Sequence, residues 1–394
     1  MDAGGGDGVA GSSGNGGAGG VGGEGAGGVG GVGGTTGAAG ATTPTGGVGG
    51  AGSGVCPPTP GVFGTWVEVP APAEAMGFVA RDAFAAGADD LYFSGHIIAG
   101  SGTTTMQVLH FSHGCFTVDL STISSVGSEP SVHGLPTGEI WAAGGDQVYR
   151  RQGPKNWTPI DASWQTQVPD PSQPHWLTRI RAAASNDLWV TELSNILHYK
   201  DGAWTVTNLN DPYYPASGTI SFRYYDIWID SPTSVSIVGG SDEIGNTMDA
   251  AMLHHFDGVR WDSMRVGTYD VLAMWRADTA FWLAAPGQNL GQRSLIRYDA
   301  TGATTTAAVA GASDTPPEFG RLWGRGANDL YAAGTDLAHF DGTTWSLVAD
   351  QPPSAHGGGY PWTNTFVTGD ATAVWIVTPG PRFFRKLDVV TSAP

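Results

Sequence analysis

One phrase recurs along this chain every forty-odd residues. It reads SNDLWVTELSNILHYKDGAWTV from Ser185 and ANDLYAAGTDLAHFDGTTWSLV from Ala327. Each copy opens on a short run such as RLWGRG at residues 321–326, followed by the turn Ala327-Asn328-Asp329 and a second run, LYAAG. A third run carries His before an aromatic, as in Leu197-His198-Tyr199, and an Asp-Gly turn (Asp341-Gly342) leads to a fourth run anchored by Trp345. Asp-Gly between two apolar runs is a strong hairpin signal, because both residues tolerate positive φ. Four short strands in a meander, repeated at this period, specify a β-propeller.

The second-strand anchors set the blade count. They are Tyr92, Trp141, Trp189, Val235, Trp282, Tyr331 and Trp375, separated by 49, 48, 46, 47, 49 and 44 residues. Seven anchors at this spacing predict an all-β chain, a seven-bladed propeller of four-stranded antiparallel blades.

The last copy, ATAVWIVTPGPRFFRKLDVV, has a third strand but no Trp-bearing fourth. The missing piece stands at the other end of the domain, where Gly64-Thr65-Trp66-Val67-Glu68-Val69 matches the fourth-strand wording DGTTWSLV. The N-terminal strand is therefore expected to complete the last blade, which removes a free sheet edge. Copy two replaces Asp-Gly with Gly153-Pro154, and copy five lacks the fourth-strand aromatic. Such degeneracy is tolerable because each blade packs on two neighbours.

Residues 1–60 differ in kind. Up to about Val55 roughly half are Gly, and the rest are mostly Ala, Ser, Thr and Val, without aromatics. Such a stretch cannot bury enough apolar surface to offset chain entropy and lacks the Gly-X-Y period of collagen. It reads as a disordered Gly-rich tether, leaving residues 61–394 as a single propeller domain.

A formal charge of −18 with no Lys/Arg block argues against nucleic acid. The acidic residues Asp242, Glu243 and Asp249 lack the alternating spacing of a calcium loop, so no metal is assigned. No transmembrane run and no apolar signal core follows Met1. Few charges, abundant Thr, Gly and Trp and two cysteines nevertheless fit an exported protein, extracellular or on the outer cell surface. An export signal or lipid anchor is expected upstream of the given sequence. Cys56 precedes the closing strand, and Cys115 lies at a turn of the neighbouring first blade. The eight residues from Cys56 to Gly64 reach roughly 25 Å when extended. A disulfide stapling the closure is feasible on that reach. Two unpaired cysteines, or lipidation of Cys56, are the alternatives.

The runs Ala142-Ala143-Gly144-Gly145 and Ile237-Val238-Gly239-Gly240, an aromatic in the third strand and a Trp shortly after it resemble kelch-type repeats. The NDLW…ILHY wording is closer still to kelch-like propellers common in exported proteins of myxobacteria. The resemblance covers residues 64–390 and implies an exported ligand- or protein-binding domain, although propellers host many functions.

Four histidines, His110, His198, His255 and His339, occupy one repeat position, which copies two, five and seven fill with Arg150, Arg297 and Lys386. A position met once per blade is spread around the ring, so these side chains cannot converge on one metal. The resemblance raises the copper-radical galactose oxidases, but Cys115 falls on an outer strand, far from the channel where their crosslink sits. Sialidase-like propellers need an inner-strand arginine cluster and a Ser-x-Asp-x-Gly-x-x-Trp box, and here Asp and Gly are adjacent. No Gly-x-Ser-x-Gly elbow, His-Glu-x-x-His or phosphate loop is present. No catalytic residue and no cofactor is assigned.

Loop length is asymmetric. Connections between strands one and two and between three and four are short. Insertions collect in the other two connections, which open on the opposite face: residues 161–178, 208–220 and 349–362 between blades, and 94–105 and 239–251 within them. Loops elaborated on one face of a rigid scaffold are where binding usually resides. They carry Trp164, His175, Trp176, Tyr213, Tyr214, His356, Tyr360 and Trp362. Aromatics with a polar tip suit sugar stacking and protein hot spots; some are also expected to fold back over the strand ends. The sequence thus reads as a monomeric, non-enzymatic propeller whose long-loop face binds a polysaccharide or an envelope protein. A carbohydrate-active lyase or hydrolase and a structural spacer are the alternatives.

Overall fold

A computed structural model describes residues 62–63, 65–87, 89–98, 104–124, 129–169, 175–209, 222–241, 251–267, 270–285, 294–299, 301–302, 304–312, 317–352, 365–378 and 382–387. All lie in one compact unit, Ser53–Pro394. Residues 1–60, read as a tether, lie outside the described residues.

The described strands form seven sheets, each a four-stranded antiparallel meander. Blade 6 shows the plan: Phe319–Gly326, Asp329–Gly334, Leu337–Phe340 and Trp345–Leu347, in that order from the axis outward. The innermost strands of blades 1 to 7 are Phe78–Gly87, Ser131–Gly134, Leu177–Ala184, Phe222–Ser231, Ala273–Ala277, Phe319–Gly326 and Phe366–Gly369. Two outer edges gain a fifth strand. Val309–Ala310 pairs in parallel with the outermost strand of blade 6, and Val62–Phe63 extends blade 7.

Blade 7 closes as the sequence implies. Trp66–Val69 pairs antiparallel with Arg382–Leu387, with Val67 opposite Arg385 and Val69 opposite Phe383. Trp66 is fully buried among Tyr331, Ala333 and Leu337 of blade 6 and Val374, Ile376 and Phe384 of blade 7. The seam between blades 7 and 1 is aromatic: Phe111 lies 4.6 Å from Trp375, and Phe116 lies 4.3 Å from Phe383.

The repeated His stacks on the second-strand anchor and bonds the Asp that opens that strand. Ring centroids are 4.2 Å apart for Tyr92–His110, 3.8 Å for Trp189–His198 and 4.4 Å for Tyr331–His339. The paired carboxylates are Asp90 at 2.7 Å, Asp187 at 2.9 Å and Asp329 at 2.8 Å. This triad explains the D-L-[WY]…H wording as a blade-internal clip. In two blades Arg replaces His over the anchor, with Arg150 over Trp141 and Arg385 over Trp375.

Two register assignments move by one residue. His255 lies opposite Ser236, so the blade 4 anchor position is Ser236 and not Val235. In blade 7, Trp375 faces Arg385, while Lys386 faces Val374. Val235 is itself buried, but on the other face of its strand, as a one-residue slip requires. The Asp-Gly turns are also of two kinds. Asp201 and Gly202 both have positive φ, at 52° and 89°, as a two-residue hairpin needs. In blade 6 only Gly342 does, at 95°, and the Asp341 carboxylate instead caps the amides of Thr343 and Thr344.

Candidate functional site

The seven inner strands surround an axial cavity of about 750 Å³. Its lining runs from mid-strand to the turns between strands one and two, reaching Ser231, Pro232, Asp370 and Ala371. The cavity therefore approaches the short-turn face, opposite the long connections.

Two levels of side chains organise it. The first is set by the second-strand anchors. The inner-strand residues facing them are Phe84, His133, Arg181, Trp228, Trp275, Trp323 and Thr368. All seven line the cavity. Five of the seven are aromatic rings, which makes this level a belt. Trp228 and Trp275 meet edge to face at 5.0 Å, and Phe84 and His133 lie tilted by 52° at 5.2 Å. Trp228 Nε1 donates to Asp230 at 2.9 Å, which fixes the indole at the wall.

Two residues earlier on each strand lies the floor: Asp82, Ser131, Arg179, Asp226, Ala273, Arg321 and Phe366. Its four charged members share a backbone cause. In blades 1, 3, 4 and 6 the register shifts just before Asp82, Arg179, Asp226 and Arg321 respectively. In blades 2, 5 and 7 the paired inner strand begins at this position, and the residues there are Ser, Ala and Phe. A β-bulge re-aims the side chain that follows it. In blades 1, 4 and 6 the bulge also presses a carbonyl toward the second strand, and a Cβ at Gly95, Gly239 or Gly334 would overlap the oxygen of Val79, Arg223 or Glu318.

The floor is a charged brace. Arg179 reaches Asp82 and Asp226 at 3.3 Å each, and Arg181 reaches the same two carboxylates at 2.9 and 3.3 Å. Asp82 also accepts from the Ser131 hydroxyl and from Val132 N at 3.3 Å, and Asp226 from Met274 N at 3.0 Å. Blades 1 through 5 are thus cross-linked through two aspartates. Burial opposes ionisation of Asp82, but Arg181 and Arg179 outweigh it and hold the carboxyl well below its usual range. Asp82 is a permanent anion in this setting and has no proton to donate. Next to it, burial and then Arg181 push His133 down to about 3, against the opposing pull of Asp82. The neutral ring accepts Ala182 N at Nδ1, 3.0 Å away, and so bridges blades 2 and 3.

The long-loop residues divide. Trp164 lies in the short helical turn Ser163–Thr166 and is fully buried among Trp141, Leu177, Ile180 and Trp204. It seals the base of its insertion and offers no ring face to solvent. His175 packs edge-on against it at 5.0 Å and stands 3.4 Å from Glu192. Trp176 is half-buried, with the Arg223 guanidinium 5.8 Å from its ring. Tyr213, Tyr214, His356, Tyr360 and Trp362 lie outside the described residues, as does Cys56. Cys115 opens the outermost strand of blade 1 and carries no free thiol. Among the described residues, no group of three or more His, Cys, Asp or Glu side chains could hold a metal, and no helix is long and apolar enough to cross a membrane.

Neither the belt nor the floor is among the residues expected from the sequence. The signal was there: a charged residue two positions before an aromatic, as in Asp226-x-Trp228 and Arg321-x-Trp323, inside strands read only as apolar runs.

No family model matches the chain, and no curated protein matches it. Among solved structures it is similar to PorZ, an essential bacterial surface component of the type-IX secretion system of Porphyromonas gingivalis. That match has a TM-score of 0.55 at 11% identity, over 80% of this chain and 47% of the other. This chain therefore spans about half the length of PorZ. It also matches BamB from Moraxella catarrhalis (TM-score 0.44, 7% identity, 84% and 90% covered). A further match is the SapL1 lectin in complex with alpha methyl fucoside (TM-score 0.42, 12% identity, 69% and 94% covered). At 11% identity the likeness to PorZ shows a shared fold and nothing finer.

Proposed function

We propose that this chain is a non-enzymatic binding propeller, exported or displayed at the outer cell surface, that holds a saccharide unit in its axial cavity. The supporting observation is the belt of Phe84, His133, Trp228, Trp275 and Trp323 at one level of a cavity of about 750 Å³. Pockets of roughly 300–1,000 Å³ suit small ligands, whereas a protein partner needs about 800 Å² of surface on each side. Sugars pair an apolar ring face with polar edges, and indole walls above a charged floor complement both. The brace of Asp82, Arg179, Arg181 and Asp226 supplies rigidity, so little ordering entropy is lost on binding.

A second reading keeps the long-loop face, with Trp176, Tyr213, Tyr214, His356, Tyr360 and Trp362, as the surface for a polysaccharide or an envelope protein. The half-buried Trp176 beside Arg223 favours it. A glycan array with the full chain separates the two. Trp228→Ala with Trp275→Ala should abolish retention while Trp176→Ala, Tyr214→Ala and Trp362→Ala together leave it intact. The reverse pattern would transfer the site to the long loops. A blank array with the unaltered chain would refute glycan binding.

A further inference from the structure

We propose that the ligand of the axial cavity carries a carboxylate, as a uronic-acid sugar does, and that this carboxylate pairs with Arg321 at the cavity floor. The inference rests on the cavity being a saccharide site and adds the class of saccharide.

The charges lining the cavity account for one another with two exceptions. Arg179 and Arg181 are matched by Asp82 and Asp226. Arg325 is held by Asp329 at 2.6 Å, and Asp230 by Arg276. Arg321 donates to the carbonyl of Gly320 at 3.0 Å and has no ion-pair partner among the described residues. A guanidinium offers five N–H donors in a planar fork, and one backbone oxygen leaves most of that fork unused. Burial, then Arg179 and Arg81, draws Arg321 down to about 10, with Glu129 and Asp226 offsetting only part of this. It stays charged at neutral pH, and an arriving anion meets a cation already stripped of much of its water.

The second exception is Asp370, at the turn after the inner strand of blade 7. One of its oxygens caps Thr372 N and Ala373 N at 2.6 and 3.1 Å. It stands two residues beyond the belt and Arg321 two residues before it, a separation of about 13 Å along the strands. The two charges left without an ion partner among the described residues are therefore set apart along the axis, the Asp370 carboxylate toward the opening and the Arg321 guanidinium at the floor, where Glu129 and Asp226 offset it only in part. A ligand carboxylate is favoured at the deep end, and the rest of the sugar stays at the belt and above. Belt and floor are two residues, or about 7 Å, apart. That span suits a ring stacked on Trp323 or Trp275 with a directly attached carboxylate hydrogen-bonded to Arg321. The chain carries a net charge of −18. Long-range attraction cannot gather an acidic glycan onto such a protein, so retention would report the local cation.

The test is titration of the full chain, at fixed ionic strength, with glucuronate and galacturonate oligosaccharides and with their neutral methyl esters. The acids should bind about 10- to 100-fold more tightly than the esters, the range expected of charge-assisted hydrogen bonds. Arg321→Gln should erase that difference and leave ester affinity unchanged. Arg321→Lys, which keeps the charge without the fork, should retain part of it and covers the case where Gln impairs folding. Equal affinity for acid and ester, lost in Trp275→Ala, would overturn the carboxylate and leave the saccharide cavity standing. Absence of any belt-dependent binding across the panel would overturn both.

Discussion

Replacing Trp66 with Ala tests whether a strand from the start of the propeller holds its last blade. Trp66 is fully buried at the junction of blades 6 and 7, with Lys386 Nζ 5.5 Å from its ring. A Trp side chain removes about 200 Å² from water, worth about 5 kcal/mol as an upper figure. Truncating a buried Trp or Phe costs about 3–5 kcal/mol. The unit is roughly 340 residues. At about 2.1 cal/mol/K per residue its unfolding entropy is about 0.7 kcal/mol/K, so Tm should fall by about 4–7 °C. The neighbouring Glu68–Arg382 pair, at 2.8 and 2.9 Å, is partly exposed and contributes less than about 1 kcal/mol. Glu68→Gln should therefore move Tm by no more than about 1 °C. Scanning calorimetry on both variants, with Trp345→Ala as the reference for a fourth-strand Trp inside one continuous blade, gives the comparison. If Trp66→Ala shifts Tm no more than Glu68→Gln does, the closing strand is not part of the cooperative core and the reasoning fails.

Three further outcomes are expected. Gly334→Ala should lower Tm by several degrees, because its Cβ meets the Glu318 oxygen on the bulged inner strand, whereas Gly326→Ala, with open space around it, should cost little. Acid should destabilise the fold already between pH 7 and pH 5. His133 at about 3, and His96 and His254 at about 4, all mainly depressed by burial, bind fewer protons folded than unfolded. Stability is thus full above the unfolded value near 6.5 and falls with decreasing pH by up to about 1.4 kcal/mol per unit for each histidine. Urea midpoints at pH 7 and pH 5 check this, and a flat profile would contradict it. Finally, Cys56 and Cys115 are expected to pair. Denatured, unreduced protein should resist alkylation, and two modified thiols would refute the staple.

The repeat was legible where one blade suffices to define it. The anchors, the His-aromatic step and the Asp that opens the second strand are local, and each is fixed by contacts within a single sheet. Blade 4 was misread by one residue because Ser236 replaces the aromatic and Val235 is the nearest apolar residue. The cavity was illegible for a different reason. Asp82, Arg179, Asp226 and Arg321 come from four blades, and only the closing of the ring places them at one level. Their trace in the sequence is indirect: the glycines at 95, 239 and 334 mark second strands that must make room for a bulge. Trp164 shows the converse error. An aromatic in a long insertion invites a reading as a recognition residue, yet the insertion also has to cover its own apolar base.

The closing strand also orders events in time. Glu68 and Arg382 are separated by 314 residues. At about 5–20 residues per second of synthesis, the first partner waits about 15–60 s for the second to exist. During that interval the six earlier blades can assemble from neighbouring segments, while Trp66–Val69 has no strand to pair with. Completion of the ring is then a late capture of a strand by a nearly finished protein. A contact made last is the first one available to break, so its strength should govern how fast the native molecule opens more than how fast it forms. The pairing of Trp66–Val69 with Arg382–Leu387 inside blade 7 acts in this sense as a latch, and the lifetime of the propeller is set at that one place on its circumference.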